Sequence, residues 1–132
     1  KFASNFYGPF RDAVGSKSNL KKDKKTNQMD FRNSSEIFRE VGLDIKEGAD
    51  MILVKPGLLY LDIINKIKEN FKTPIIAYQV SGEYSLIKNA IKGKILSDKS
   101  ILESIVSFKR AGACSIITYF AIDIAKKLKS IN

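Results

Sequence analysis

The sequence predicts an α/β fold in which short buried strands alternate with amphipathic helices. Three observations predict it. Apolar runs of strand length recur at Met51–Val54, Ile75–Val80 and Cys114–Phe120. Between them apolar residues repeat at helical spacing. Gly and Pro punctuate the junctions, as in Lys55-Pro56-Gly57 and Thr73-Pro74. Strands alternating with helices argue for a parallel sheet covered by helices. Periodicity leaves two such architectures open, a doubly wound sheet and part of a (β/α)8 barrel.

Each element follows in order. Lys1 to Ala13 mixes aromatics with Gly8 and Pro9 and reads as the end of a strand running into a loop. Residues 15 to 33 are polar and lysine-rich, a long loop of the kind that forms lids or binding segments. Asn33 followed by Glu36 is a helix start, and Ile37, Phe38, Val41 and Ile45 make its apolar stripe before Gly48. After Met51–Val54, Leu59, Ile63, Ile64 and Ile67 return to helical spacing. Ile75 to Val80 is a strand, and Tyr84 to Ile91 a helix ending near Gly93. Ser97 is placed to cap a helix carrying Ile101, Leu102, Ile105 and Phe108, ended by Gly112. Cys114 to Phe120 is a strand and Ile122 to Leu128 the last helix.

The 132 residues suit one domain with a real core, and a hydrophobic content of 44% argues against disorder. No internal repeat or second domain is visible. No apolar run is long enough to span a bilayer. There is no His, so a histidine base and a His-ligated metal are excluded within this chain. The single Cys cannot form an internal disulfide, which fits a reducing compartment. The first residue is Lys, with no signal pattern behind it, so the chain reads as a piece of a longer one. The net charge of +9 comes from 19 Lys and only four Arg. With Ile also abundant, this favours AT-rich coding over a nucleic-acid footprint, which usually carries Arg and interleaved aromatics. No Gly-rich phosphate loop is present.

Parallel α/β architectures collect chemistry at the C-terminal ends of their strands. Four polar residues stand there: Lys55, Ser81, Tyr119 and, if a strand precedes it, Lys1. A lysine in a desolvated mouth, with a second cation nearby, loses pKa and can attack a carbonyl to form a Schiff base. The alternative for Lys55 is a side chain that snorkels to solvent. Ser81 opens a helix and offers a hydroxyl to a carboxylate or phosphate, or is an ordinary cap. Tyr119 points a phenol into the mouth or packs against it. Arg11 can clamp a carboxylate with two parallel hydrogen bonds, or pair with Asp12. Cys114, away from the mouth, reads as a small core residue.

At these residues a resemblance emerges. The runs Lys1-Phe2-Ala3-Ser4 and Phe6-Tyr7-Gly8-Pro9-Phe10-Arg11-Asp12-Ala13 resemble porphobilinogen synthase, also called delta-aminolevulinic acid dehydratase. So do Gly48-Ala49-Asp50-Met51-Ile52-Leu53-Val54-Lys55-Pro56, Tyr60-Leu61-Asp62-Ile63 and Ala77-Tyr78-Gln79-Val80-Ser81-Gly82-Glu83-Tyr84. Lys109-Arg110-Ala111-Gly112 and Thr118-Tyr119-Phe120 complete the set. The blocks stand in family order over nearly the whole chain.

The resemblance implies a (β/α)8 TIM barrel, of which residues 1–132 form the C-terminal part of a single catalytic domain with about four strands. It implies condensation of two 5-aminolevulinate molecules to porphobilinogen in tetrapyrrole biosynthesis. Lys55 matches the Schiff-base lysine for the substrate that becomes the propionate side, and Lys1 matches the second active lysine. Ser81 and Tyr119 match groups that bind one carboxylate. Arg11 and Gln28 match groups that bind the other from a lid, here residues 11–33. Lys24 stands where the family usually has a lid Arg and lacks its bidentate fork. Asn27 replaces a common Tyr, and Cys114 a usual Asp. Glu40 matches an acid that, in many bacterial-type members, helps bind a regulatory Mg²⁺; a solvated helix-face Glu is the alternative. Any catalytic Zn²⁺ ligands would lie upstream of Lys1. The resemblance also implies a homo-oligomer, an octamer, with no nucleic-acid or membrane partner. Its compartment would be the cytoplasm, or an organelle in a eukaryote. The piece alone is expected to show negligible activity. The rivals are another class I Schiff-base aldolase on the same barrel and a basic nucleic-acid-binding module.

Overall fold

In a computed structural model, residues 1–15 and 27–129 are described. Lys24 and most of the lysine-rich loop lie outside the described residues. Three strands, β1 (Ile52–Val54), β2 (Ile75–Tyr78) and β3 (Ser115–Ile117), form a parallel sheet in the order β1-β2-β3. Ile52 pairs with Ile75 and Val54 with Ala77, while Ala77 pairs with Ile116 and Tyr78 with Ile117. The helices are α1 (Gly8–Ala13), α2 (Glu36–Lys46), α3 (Leu61–Asn70), α4 (Ser81–Lys92), α5 (Lys99–Ala111) and α6 (Ala121–Lys129). The place of a fourth strand is held by Lys1–Ala3 alone. Phe2 N–H donates to Lys55 O at 2.9 Å, and Phe2 bridges Met29 in parallel.

Alternation along the strands decides where the core sits. Side chains two apart share a face. Ile52, Val54, Ile75 and Ala77 are buried against Ile63, Ile64 and Ile67 of α3 and Phe108 of α5. Each such aliphatic side chain contributes about 1.5–3 kcal/mol when fully buried. Ile87, Ile101, Phe120 and Ile124 form a second cluster that ties α4, α5 and α6 together. The opposite face of the sheet carries Leu53, Lys55, Ile76 and Tyr78 and is less covered.

Several expectations need correction. Asn5–Tyr7 form a 3₁₀ turn leading into α1, where a strand end and loop was expected. Ser4 caps it by accepting from Phe6 N–H at 3.1 Å, and Pro9 sits where a helix start lacks an N–H partner anyway. The helix placed over Tyr84 to Ile91 begins earlier, at Ser81, the residue also read as a helix opener. Asp98, not Ser97, precedes α5, and its carboxylate pairs with Lys127 instead of capping. Cys114 is exposed, not core: it lies just before β3, the open edge of the sheet, where Ser115 and Ile117 are exposed as well. The expected helix start at Asn33 is met by its side chain, which accepts from Glu36 N–H and donates to the Glu36 carboxylate.

Candidate active site

The register of the sheet places Lys55. It follows Val54, which pairs with Ala77, so the next residue along β1 lies beside Tyr78. The Lys55 ammonium accordingly sits 4.3 Å from the centre of the Tyr78 ring. It also lies 5.7 Å from the centre of the Tyr7 ring, over which Lys1 Nζ is held at 5.5 Å and the Arg11 guanidinium at 4.9 Å. One buried tyrosine thus gathers three of the expected site residues. Burial lowers the Lys55 pKa, and the Lys1 charge lowers it further. Both causes are those expected for a lysine that reacts as a free amine.

Tyr7 also fixes the backbone beneath these side chains. Its hydroxyl stands 3.0 Å from Phe2 O and 2.9 Å from Lys55 O and shares its one proton between them. Burial raises its pKa, so it stays a donor. Phe2 stacks on Tyr60 at 4.3 Å, which anchors the Lys1 segment against the turn after β1. Gly57 in that turn has no room for a side chain. A Cβ there would lie 2.7 Å from the Phe108 ring and 3.1 Å from Tyr78 O.

Ser81 is the first residue of α4 and is buried. Its Oγ accepts from Phe10 N–H at 3.1 Å, so the hydroxyl holds α1 in place and does not cap α4. Tyr119 is half exposed and packs 5.4 Å from the Tyr84 ring. Burial, then a hydrogen bond with Tyr78, raises its pKa.

Gln28 lines two clefts. One, of about 470 Å³, is shared with Lys1, Asp30, Glu36, Glu40 and Asp44. The other, of about 460 Å³, is shared with Arg11, Arg32, Phe31 and Tyr60. Glu40 Oε1 pairs with Arg39 at 3.3 Å. Among the described residues, no three His, Cys, Asp or Glu side chains cluster as metal ligands. No helix among them is long and apolar enough to cross a membrane.

The arrangement joins Lys1, Lys55 and Arg11 around Tyr7, while Tyr119 packs against Tyr84. Ser81 lies apart, beneath α1, and Glu40 lies beyond Lys1. A family model described as delta-aminolevulinic acid dehydratase matches residues 1–127. The chain belongs to the delta-aminolevulinic acid dehydratase family. It is 53% identical over 131 residues to the delta-aminolevulinic acid dehydratase of Bradyrhizobium diazoefficiens, covering 98% of this chain and 37% of that protein. It is 55% identical over 129 residues to that of Archaeoglobus fulgidus, covering 98% and 40%. A crystal structure of the Toxoplasma gondii delta-aminolevulinic acid dehydratase (porphobilinogen synthase) with the reaction product porphobilinogen superposes with a TM-score of 0.91. That match has 52% identity and covers 96% of this chain and 36% of the other. The three-stranded parallel sheet with its helices is accordingly part of a TIM barrel. The chain spans well under half the length of these dehydratases.

Sequence reasoning named no role for Tyr7, Tyr78 or Glu83. A signal existed for Tyr78, which shares the Lys55 face by strand alternation. No local pattern marked Tyr7, whose partners lie far away in the chain.

Proposed function

We propose that this chain supplies the lysine pair and carboxylate seats of a porphobilinogen synthase, as the C-terminal part of its catalytic barrel. The observation that carries the reading is the convergence of Lys1 and half-buried Lys55 on Tyr7, with the Lys55 pKa lowered. In the proposed reaction, neutral Lys55 attacks the ketone of one 5-aminolevulinate and releases water, giving an iminium that draws electrons. Lys1 does the same for the second molecule. A carbon–carbon and a carbon–nitrogen bond then join the two, both lysines are released, and the net loss is two waters. Ser81 and Tyr119 bind the carboxylate of the Lys55 substrate; Ser81 donates its O–H to it while its oxygen goes on accepting from Phe10 N–H. Arg11, Gln28 and Lys24 bind the other carboxylate.

Magnesium is proposed only as a regulator. Glu40 offers one carboxylate, enough for a mostly hydrated Mg²⁺ when other donors join it, and Arg39 competes for that carboxylate. Zinc takes four close ligands, and the described residues supply no such set. Any zinc site is proposed to draw on residues outside this chain. A cytoplasmic homo-octamer is the proposed setting.

The test is borohydride reduction of the full-length protein in the presence of 5-aminolevulinate, followed by peptide mapping. Adducts on Lys55 and Lys1 are expected. Their absence from both lysines overturns the reading.

A further inference from the structure

Glu83 is fully buried, and among the described residues its carboxylate is held by backbone N–H groups. Oε1 accepts from Leu58 N–H at 2.8 Å and Leu59 N–H at 3.4 Å, and Oε2 accepts from Val80 N–H at 2.9 Å. Burial pushes the carboxyl up, while the N–H groups of Val80, Leu58, Leu59 and Gly57 pull it down. The Val80 bond is the familiar reach of a third helical residue back to its cap. The bonds to Leu58 and Leu59 are not local. They cross to the turn that follows Lys55-Pro56, about 25 residues earlier in the chain. One carboxylate therefore clamps two strand-end segments: the turn after β1, at Leu58, three residues past Lys55, and the cap of α4, at Val80, one residue before Ser81.

Resting on the functional reading above, we propose that Glu83 is a positioning residue, which sets the Lys55 turn and the Ser81 end of α4 in one register. It touches no substrate. Its effect is to keep the amine that forms the Schiff base at a fixed distance from the hydroxyl that seats the same substrate's carboxylate. Small displacements of such a pair are costly, because a misplacement of about 1 Å can lower a rate by orders of magnitude.

Two substitutions separate this role from ordinary helix capping. Glu83→Asp keeps the charge and can still accept from Val80 N–H, but it is one methylene too short to span to Leu58. Glu83→Gln keeps the length but presents an amide donor to one of the N–H groups. The experiment uses the full-length protein, with borohydride trapping at limiting and saturating 5-aminolevulinate and adducts mapped separately on Lys55 and Lys1. Both variants are expected to trap at Lys55 about tenfold or more slowly at limiting substrate, with partial recovery at saturation. Trapping at Lys1, which hangs on Tyr7 and Phe2, should stay within about twofold of wild type. A purely structural role moves both lysines together.

Equal losses at the two lysines, or wild-type trapping at Lys55 in Glu83→Asp, overturn the positioning role and leave the functional reading standing. A wild-type protein with no adduct on either lysine overturns both. If neither variant folds, amide exchange in the wild type decides. Leu58 and Val80 N–H groups protected about 100-fold or more support the clamp, and exchange at open-loop rates overturns it.

Discussion

A single methyl group added at two glycines should move stability in opposite directions. Gly82 is the second residue of α4, and the 3₁₀ turn at Asn5–Tyr7 lies directly on it. A Cβ at Gly82 would collide with Phe6 O and stand 2.8 Å from Phe6 C and Cα. These are backbone atoms, so no side chain can swing away, and the segment must retreat by about 1 Å to reach ordinary contact. Overpacking of this kind costs about 1–3 kcal/mol. Gly42 lies inside α2 with nothing within 4 Å of its would-be Cβ. Alanine there removes the backbone freedom of glycine and gains about 0.5–1 kcal/mol. Urea denaturation of the full-length protein should therefore give a lower midpoint for Gly82→Ala and a higher one for Gly42→Ala, with unchanged slopes. Gly82→Ala carries a second signature. The retreat pulls Phe10 N–H from Ser81 Oγ and loosens α1, so under the proposed function KM for 5-aminolevulinate should rise. A Gly82→Ala protein with wild-type midpoint and KM refutes the seating of residues 5–10 on α4.

Other outcomes follow from the same geometry. Phe108→Ala empties a fully buried position between Gly57 and the sheet and should cost about 3–5 kcal/mol, read by the same denaturation midpoint. Trapping at Lys55 should quicken as pH rises, since the neutral amine is the reactive form. Lys1→Met should move that rise to higher pH, because it removes a charge that lowers the Lys55 pKa; an unmoved profile counts against the coupling. Tyr7→Phe leaves the Phe2 and Lys55 carbonyls short of a donor and should cost about 1–3 kcal/mol of stability. Glu40→Ala should blunt any stimulation of activity by Mg²⁺, measured by titration after chelation.

Much of the architecture was legible because burial writes periodicity into sequence. Ile63, Ile64 and Ile67 show α3 at helical spacing, and all three are buried. Strand ends were less legible. Val80 is apolar and buried, yet it caps α4 and does not extend β2, because a buried apolar residue fits either role. The α1 region misled for a different reason. Its aromatics look like strand, but Pro9 and the seat on Gly82 make it helical. Cys114 misled because burial depends on what lies beside β3, and no residue in the run reports that. Lys55 was legible as a strand-end cation with a lowered pKa. The long-range partners that confer this property, Tyr7 and Tyr78, were not legible from spacing.

Those partners explain how a lysine of lowered pKa is held in place. The Lys55 carbonyl accepts from Phe2 N–H at 2.9 Å and shares the one Tyr7 hydroxyl proton, 2.9 Å away, with Phe2 O. Its backbone is thereby fixed at the strand end. Its ammonium meets the faces of Tyr78 and Tyr7, which attract a cation without accepting a conventional hydrogen bond or carrying a compensating charge. A carboxylate in their place would also hold the side chain, but it would raise the pKa and leave the amine protonated. Aromatic faces give position, and burial with the nearby Lys1 lowers the pKa. Replacing Tyr78 by an acid should thus preserve the location of Lys55 and slow its trapping at neutral pH, with the loss recovered as pH rises.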